Sequence, residues 1–202
     1  MAATGKPLTM STGMATIAEI VEAVQTARDA GAKEIALLKC TSAYPADAAE
    51  MNLRTRPALA SCFQFPLGLS DHSMGVAAPV AAVTLGASII EKHLTLSRSA
   101  KGPDSTFSLE PQEFKMMVNA VSTTERALGD VHFGAIGHEV ASLAFRRSLF
   151  VVEDMKQRDL FSGRTVRAIR PSHGLQRATC PRFWAAGQRA TSSGVRPSAG
   201  IW

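Results

Sequence analysis

Four apolar strand patterns in succession, each followed by a helical one, constrain this chain more than any other feature. Pro7 to Met10 is the first run and ends at Ser11-Thr12-Gly13. Glu34 to Cys40 is the second, Pro66 to Leu69 the third, ending at Ser70-Asp71-His72, and Ala87 to Lys92 the fourth, ending at His93. Strands this apolar have no face to leave in water, so they belong to a parallel sheet covered by helices. Between them, Thr16-x-x-Glu19 is a capping box. The apolar positions Ile17, Ile20, Val21 and Val24 then share one helix face, and Ala30-Gly31 closes that helix. A second helix is expected over Leu53–Phe63 and a small-residue helix over Val76–Leu85. A long one runs from Pro111, placed in its first turn, to Leu128.

Four such units are half of an eight-stranded βα barrel or most of an open doubly wound sheet, and the pattern alone leaves both open. Either architecture puts its chemistry at the carboxyl ends of the strands. Lys39, Ser70, His72 and His93 all lie there.

His72 and His93 are separated by one strand-to-strand repeat. Adjacent parallel strands are about 5 Å apart, so imidazoles at matching strand ends can share one metal ion, or simply cap the two ends. Asp71 points to the opposite face from His72 and is a poor third ligand. Glu91 shares the face of His93 and either orients that ring or partners a buried Lys92. Lys39 closes an apolar strand, where a cation needs a carboxylate or an anionic ligand. His132, His138 and His173 fall in loops, and Arg146-Arg147 reads as a solvated pair.

The chain is 46% hydrophobic and 19% charged, enough to bury a core. No apolar run is long enough for a membrane span and no charged-then-apolar leader opens it, so no membrane partner is expected. Cys40, Cys62 and Cys180 are an odd set without metal-ligand spacing, which fits a reducing cytoplasm. The net charge of +5 raises nucleic acid as a partner, but four of the 22 basic side chains lie in residues 177–202, which hold no acid. The first 176 residues are nearly balanced, so no nucleic-acid role is expected. That tail has no leucine but both tryptophans. It is expected to be a frameshifted segment, since a reading one base upstream restores an apolar and turn pattern, or a disordered basic arm. Beyond Gly129 a glycine-containing linker (129–145) leads to a strand over Ala144–Val152 and a segment from Val166 to Ile169, closed by Pro171. Residues 146–176 thus open a small β-rich domain.

Five longer motifs occur in order: STGMA at 11–15, LLKCTSAYPA at 37–46, GLSDHSMG at 68–75, IIEKHLTL at 89–96 and KGPDSTFSLEPQEF at 101–114. Together they resemble the sialic acid synthase family, and Lys-Cys-Thr-Ser-Ala-Tyr-Pro resembles its pseudaminic acid branch. FRRSLFVVEDM and the later IRP resemble the linker and first strand of that family's antifreeze-like (SAF) domain. The resemblance implies an α/β fold: over 1–128 the C-terminal half of a TIM (β/α)8 barrel, then a truncated antifreeze-like domain.

It also implies condensation of phosphoenolpyruvate with an open-chain N-acylated amino sugar. The acceptor is a 2,4-diacetamido-trideoxy-altrose, or N-acetylmannosamine in the sialic acid alternative, and the products are a nine-carbon 2-keto acid and phosphate. His72 and His93 match the catalytic metal ligands for manganese, magnesium or a similar divalent ion. Ser70 and Tyr44 match positions near phosphoenolpyruvate, and Asp104 matches a contact to the amino sugar. Ser42 stands where the sialic acid enzymes carry Asn. Full-length members are domain-swapped homodimers with a further half barrel before the segment matching Lys6. This chain by itself is therefore expected to be inactive and poorly soluble, or to persist as a non-catalytic metal- and phosphate-binding fragment.

Overall fold

The computed structural model describes residues 1–176, and the expectation of a frameshifted or disordered segment over 177–202 lies outside them. Two compact units divide at Asp130 and Val131. The first is built from β1 (Leu8–Ser11), α1 (Ile17–Asp29), β2 (Ile35–Cys40), α2 (Thr55–Cys62), β3 (Leu67–Asp71), α3 (Ala77–Thr84), β4 (Ile89–Lys92) and α4 (Pro111–Leu128).

Local chemistry accounts for the helix ends. The Thr16 hydroxyl accepts from the Glu19 amide, and Glu19 accepts from the Thr16 amide at 2.7 Å, closing the capping box of α1. Glu110 and Glu113 do the same for α4, with Pro111 where a missing amide costs nothing.

The four strands are all parallel and lie in the order β1-β2-β3-β4. This order separates the two architectures that the sequence pattern left open. Sequential strands joined by crossovers of one hand keep every helix on the same side, as in a barrel, whereas a doubly wound sheet reverses its order and carries helices on both faces. Packing agrees. Ile20, Val24 and Ala27 of α1 and Leu59 of α2 bury against Ile35, Leu37 and Leu67, while Ala82 of α3 buries against Leu69. Every one of these strand residues belongs to the same alternating set. The opposite set includes Ser11, Leu38, Cys40, Gly68, Ser70 and Glu91, and forms the inner face of a half barrel.

The second unit, from Val131, pairs β5 (Ser148–Val151) with β6 (Val166–Ile169) antiparallel over a small core of Leu149, Val151, Met155 and Val166. The strand expected over Ala144–Val152 is shorter. Its partner ends at Ile169, opposite Ser148, because Pro171 follows and cannot extend a ladder. Residues Leu143–Phe145 form a 3-10 turn instead. No helix among the described residues is long and apolar enough to cross a membrane.

Candidate functional site

At the carboxyl ends of β3 and β4 a cavity of about 190 Å³ is lined by Ser70, Asp71, His72, Glu91, Lys92 and His93. Its construction follows from register. Ser70 pairs with Glu91 across the ladder, so the next inward position of each strand brings His72 beside His93, with ring centroids 5.2 Å apart.

The His72 ring is oriented by the chain after β2. Its Nδ1 lies 2.9 Å from the Thr41 carbonyl oxygen. A carbonyl only accepts, so Nδ1 is the donor, and in the neutral ring the lone pair is then on Nε2. That is the tautomer a metal ligand needs. His93 has Nδ1 3.6 Å from a carboxylate oxygen of Asp104. Two aromatic rings wall the pair: Tyr44 lies 4.3 Å from His72 and 6.0 Å from His93, and Phe107 lies 5.1 Å from His93 and 5.2 Å from Tyr44. Ser42 sits beside this cluster, its hydroxyl 3.8 Å from the Cys40 sulfur.

Glu91 departs from both expected roles. Its carboxylate accepts from the Ser70 hydroxyl at 2.7 Å, because Ser70 is directly opposite it, while His93 is two residues further along the chain, just past the end of β4. Asp104 is the carboxylate near His93 instead. The partner of Lys92 is Asp71, at 2.5 Å, with side chains 1% and 0% exposed. The Ser73 amide and hydroxyl complete that carboxylate at 2.8 and 2.7 Å, and Lys92 also donates to the Ser73 carbonyl. Asp71 is therefore committed to the helix-facing side.

Lys39 has none of the expected carboxylate partners among the described residues. Its ammonium donates to the Cys40 carbonyl at 2.7 Å and the Thr41 hydroxyl at 3.3 Å, and partial burial pushes its pKa down.

The loop that carries Asp104 and Phe107 is tied to the start of α4. The Arg98 guanidinium grips both carboxylate oxygens of Glu113, and the Arg98 amide donates to Glu110 at 2.9 Å. Hydrogen bonds from Arg98 hold the Glu113 carboxyl below its ordinary 4.5. A depressed carboxyl keeps its contribution above that value and loses it as the pH falls through the folded pKa. The guanidinium resonances of Arg98, which bond Glu113 directly, are thus expected to hold steady from pH 7 to 4.5 and to move below it. Movement above pH 4.5 in a nitrogen–proton correlation titration is the contrary result.

Among the described residues no three histidine, cysteine or acidic side chains come close enough together to make a closed metal cage. Two imidazoles, one with its Nε2 lone pair free, fit an open site whose other positions belong to water or substrate. Sequence reasoning missed Thr41 and Phe107. A backbone carbonyl has no residue signature, and an apolar ring in a 3-10 turn (Ser105–Phe107) looks like any core residue.

Comparison with known proteins identifies the family to which this fold belongs. The NeuB family model matches residues 1–133, the whole of the parallel-sheet unit. Pseudaminic acid synthase of Campylobacter jejuni subsp. jejuni serotype O:23/36 (strain 81-176) is 42% identical over 179 residues, 89% of this chain and 51% of the relative. N,N'-diacetyllegionaminic acid synthase of Campylobacter jejuni serotype O:2 is 40% identical over 173 residues, 84% of this chain and 52% of the relative. The crystal structure of N-acetylneuraminic acid (sialic acid) synthetase from Leptospira borgpetersenii superposes with a TM-score of 0.62 at 34% identity, covering 70% of this chain and 50% of that one. The chain thus spans about half the length of these relatives. With a family match across the entire half barrel, and with sugar-acid synthases similar to it in both sequence and fold, this chain belongs to the NeuB family.

Proposed function

We propose that the cavity between β3 and β4 belongs to a metal-dependent synthase that condenses phosphoenolpyruvate with an open-chain 2,4-diacetamido-2,4,6-trideoxy-altrose. The observation that carries this reading is the His72–His93 pair with the Nδ1 of His72 held by a carbonyl. The similarity to synthases of pseudaminic and legionaminic acid supports the substrate class. N-acetylmannosamine remains the competing acceptor, favoured by the similarity to the sialic acid synthetase.

His72 and His93 hold a divalent ion, manganese or magnesium, which when bound supplies Lewis-acid polarisation of the acceptor aldehyde. C3 of phosphoenolpyruvate forms the new carbon–carbon bond to the aldehyde carbon. Water then adds at C2, and phosphate leaves with cleavage of its C2–O bond. The chain's own groups set the geometry. Ser70 donates its one hydroxyl proton to Glu91 here, so to reach phosphoenolpyruvate, whose anionic oxygens only accept, that hydroxyl must turn from Glu91 to the substrate. The rings of Tyr44 and Phe107 line one side of the imidazole pair, and Asp104 stands beside His93 to meet the amino sugar. Ser42, beside Cys40, gives a hydroxyl where a longer amide is the alternative. We also read the β5–β6 unit as the start of an antifreeze-like domain, and the longer protein as a cytoplasmic, domain-swapped homodimer.

The test is calorimetric titration of manganese into the chain. One ion per chain is expected, with affinity reduced about 100-fold or more in His72→Ala and His93→Ala, beyond the effect of losing an outer-shell partner. A folded chain that binds neither manganese nor magnesium overturns the reading. Ligand-observed NMR with the two acceptors in the presence of manganese and phosphoenolpyruvate decides between them.

A further inference from the structure

Lys39 is in an unusual place for a lysine. It is the last but one residue of β2, on the helix-facing side of the sheet, in the same alternating set as Leu37 and opposite Leu69, both of which are fully buried. An apolar side chain of similar length would pack there without desolvating a charge. The ammonium is instead spent on the next two residues of its own chain, the Cys40 carbonyl and the Thr41 hydroxyl. Holding the Cys40 carbonyl fixes the plane of the peptide between 40 and 41, since that bond is rigid. Holding the Thr41 hydroxyl fixes the same residue from its side chain. The next carbonyl along is that of Thr41, and it is the one that accepts from His72 Nδ1.

A second partner for that ring nitrogen is close by. The Cys40 sulfur lies 3.9 Å from His72 Nδ1. A thiol can donate to an unprotonated Nδ1, which puts the ring proton on Nε2 and removes the lone pair from the outward nitrogen. Two tautomers of His72 are thus available, and the placement of the Thr41 carbonyl selects between them.

We propose that Lys39 is a positioning residue for His72, clamping the Cys40–Thr41 backbone so that the Thr41 carbonyl holds the imidazole as its Nδ1–H tautomer. This rests on the reading of His72 as a metal ligand for its functional consequence, but not for its geometry. The side chain never needs to touch substrate or metal. It acts through a backbone carbonyl, in the way that outer partners orient ligand histidines in metal sites.

The experiment uses the full chain, labelled with nitrogen-15, without metal and at a pH where imidazole is neutral. Long-range proton–nitrogen correlation reads which ring nitrogen of His72 carries the proton, and manganese titration follows on the same samples. Lys39→Met keeps the length and loses the donors, and Lys39→Arg keeps donors. The parent chain is expected to show Nδ1–H. Lys39→Met is expected to populate Nε2–H and to weaken manganese binding about 10- to 100-fold, with Lys39→Arg recovering most of both. A Lys39→Met chain with the parent tautomer and parent affinity overturns the proposal. If the tautomer moves but even the parent binds no manganese, the positioning role stands and the metal reading alone fails. Should Lys39→Met not fold, Thr41→Val removes one of the two anchors while keeping the side-chain shape. A shift in the same direction supports the clamp, and an unmoved tautomer overturns it.

Discussion

Replacing Lys92 with methionine is expected to lower the free energy of unfolding by about 3–5 kcal/mol, because it strands a carboxylate that has no water to turn to. Asp71 and Lys92 are 2.5 Å apart and almost wholly buried, and the remaining bonds to Asp71 come from the neutral amide and hydroxyl of Ser73. Neither can neutralise a charge. Replacing both partners with apolar residues, Asp71→Leu with Lys92→Met, is expected to recover part of the loss, since no charge is stranded but the amide, hydroxyl and carbonyl of Ser73 lose their partners. Urea denaturation of the single and double variants measures this directly. A single variant within 1 kcal/mol of the parent would sink the claim. The pair also matters for the cavity. Each of its members directly precedes a candidate ligand, His72 or His93, so the ion pair pins both strand ends from the helix side while the imidazoles point inward.

Gly68→Ala is the second large effect, expected at about 3 kcal/mol, at the upper end of what one inserted methyl group costs in a packed interior. A Cβ there would meet the Leu38 side chain at 2.5 Å and the Ile89 Cβ at 2.7 Å, and the Ile89 backbone oxygen more closely still. Side chains can rotate away, but a carbonyl in the β3–β4 ladder cannot do so without moving the strand. The substitution therefore separates β3 from β4 just below Ser70 and Glu91. Weakened manganese binding is expected alongside the lower midpoint in thermal unfolding, even though Gly68 touches no candidate ligand. An alanine variant with the parent's stability and metal affinity would show that the inner face has slack where the structure has none.

Much of this was legible in the chain itself. Strand after helix, the Thr16–Glu19 box, Pro111 at the head of α4 and polar residues gathered at strand ends are local patterns, each set by a few neighbouring residues. Local patterns survive folding because their physics (alternation, capping, backbone restriction) is complete within a turn or a strand. The inward pairing of His72 and His93 was also within reach, since a repeat of strand, helix and strand carries equivalent positions into register.

The partner of each polar side chain was not legible. Glu91 has Ser70, Asp71 has Lys92, His93 has Asp104 nearby, and His72 has a carbonyl from the loop after β2. Each depends on the offset between two strands or on the path of a loop that returns from elsewhere in the chain. The strand pattern alone left the order open, because four βα units fit a singly or a doubly wound sheet equally well, although the motif resemblance implied half a barrel and the order β1-β2-β3-β4 bears that out. The sequence by itself determined the elements, their parallel sheet and the end of that sheet where polar groups gather. Only the tertiary structure decided which helices share a face and which groups satisfy which, because hydrogen bonding and burial are settled between segments far apart in the chain.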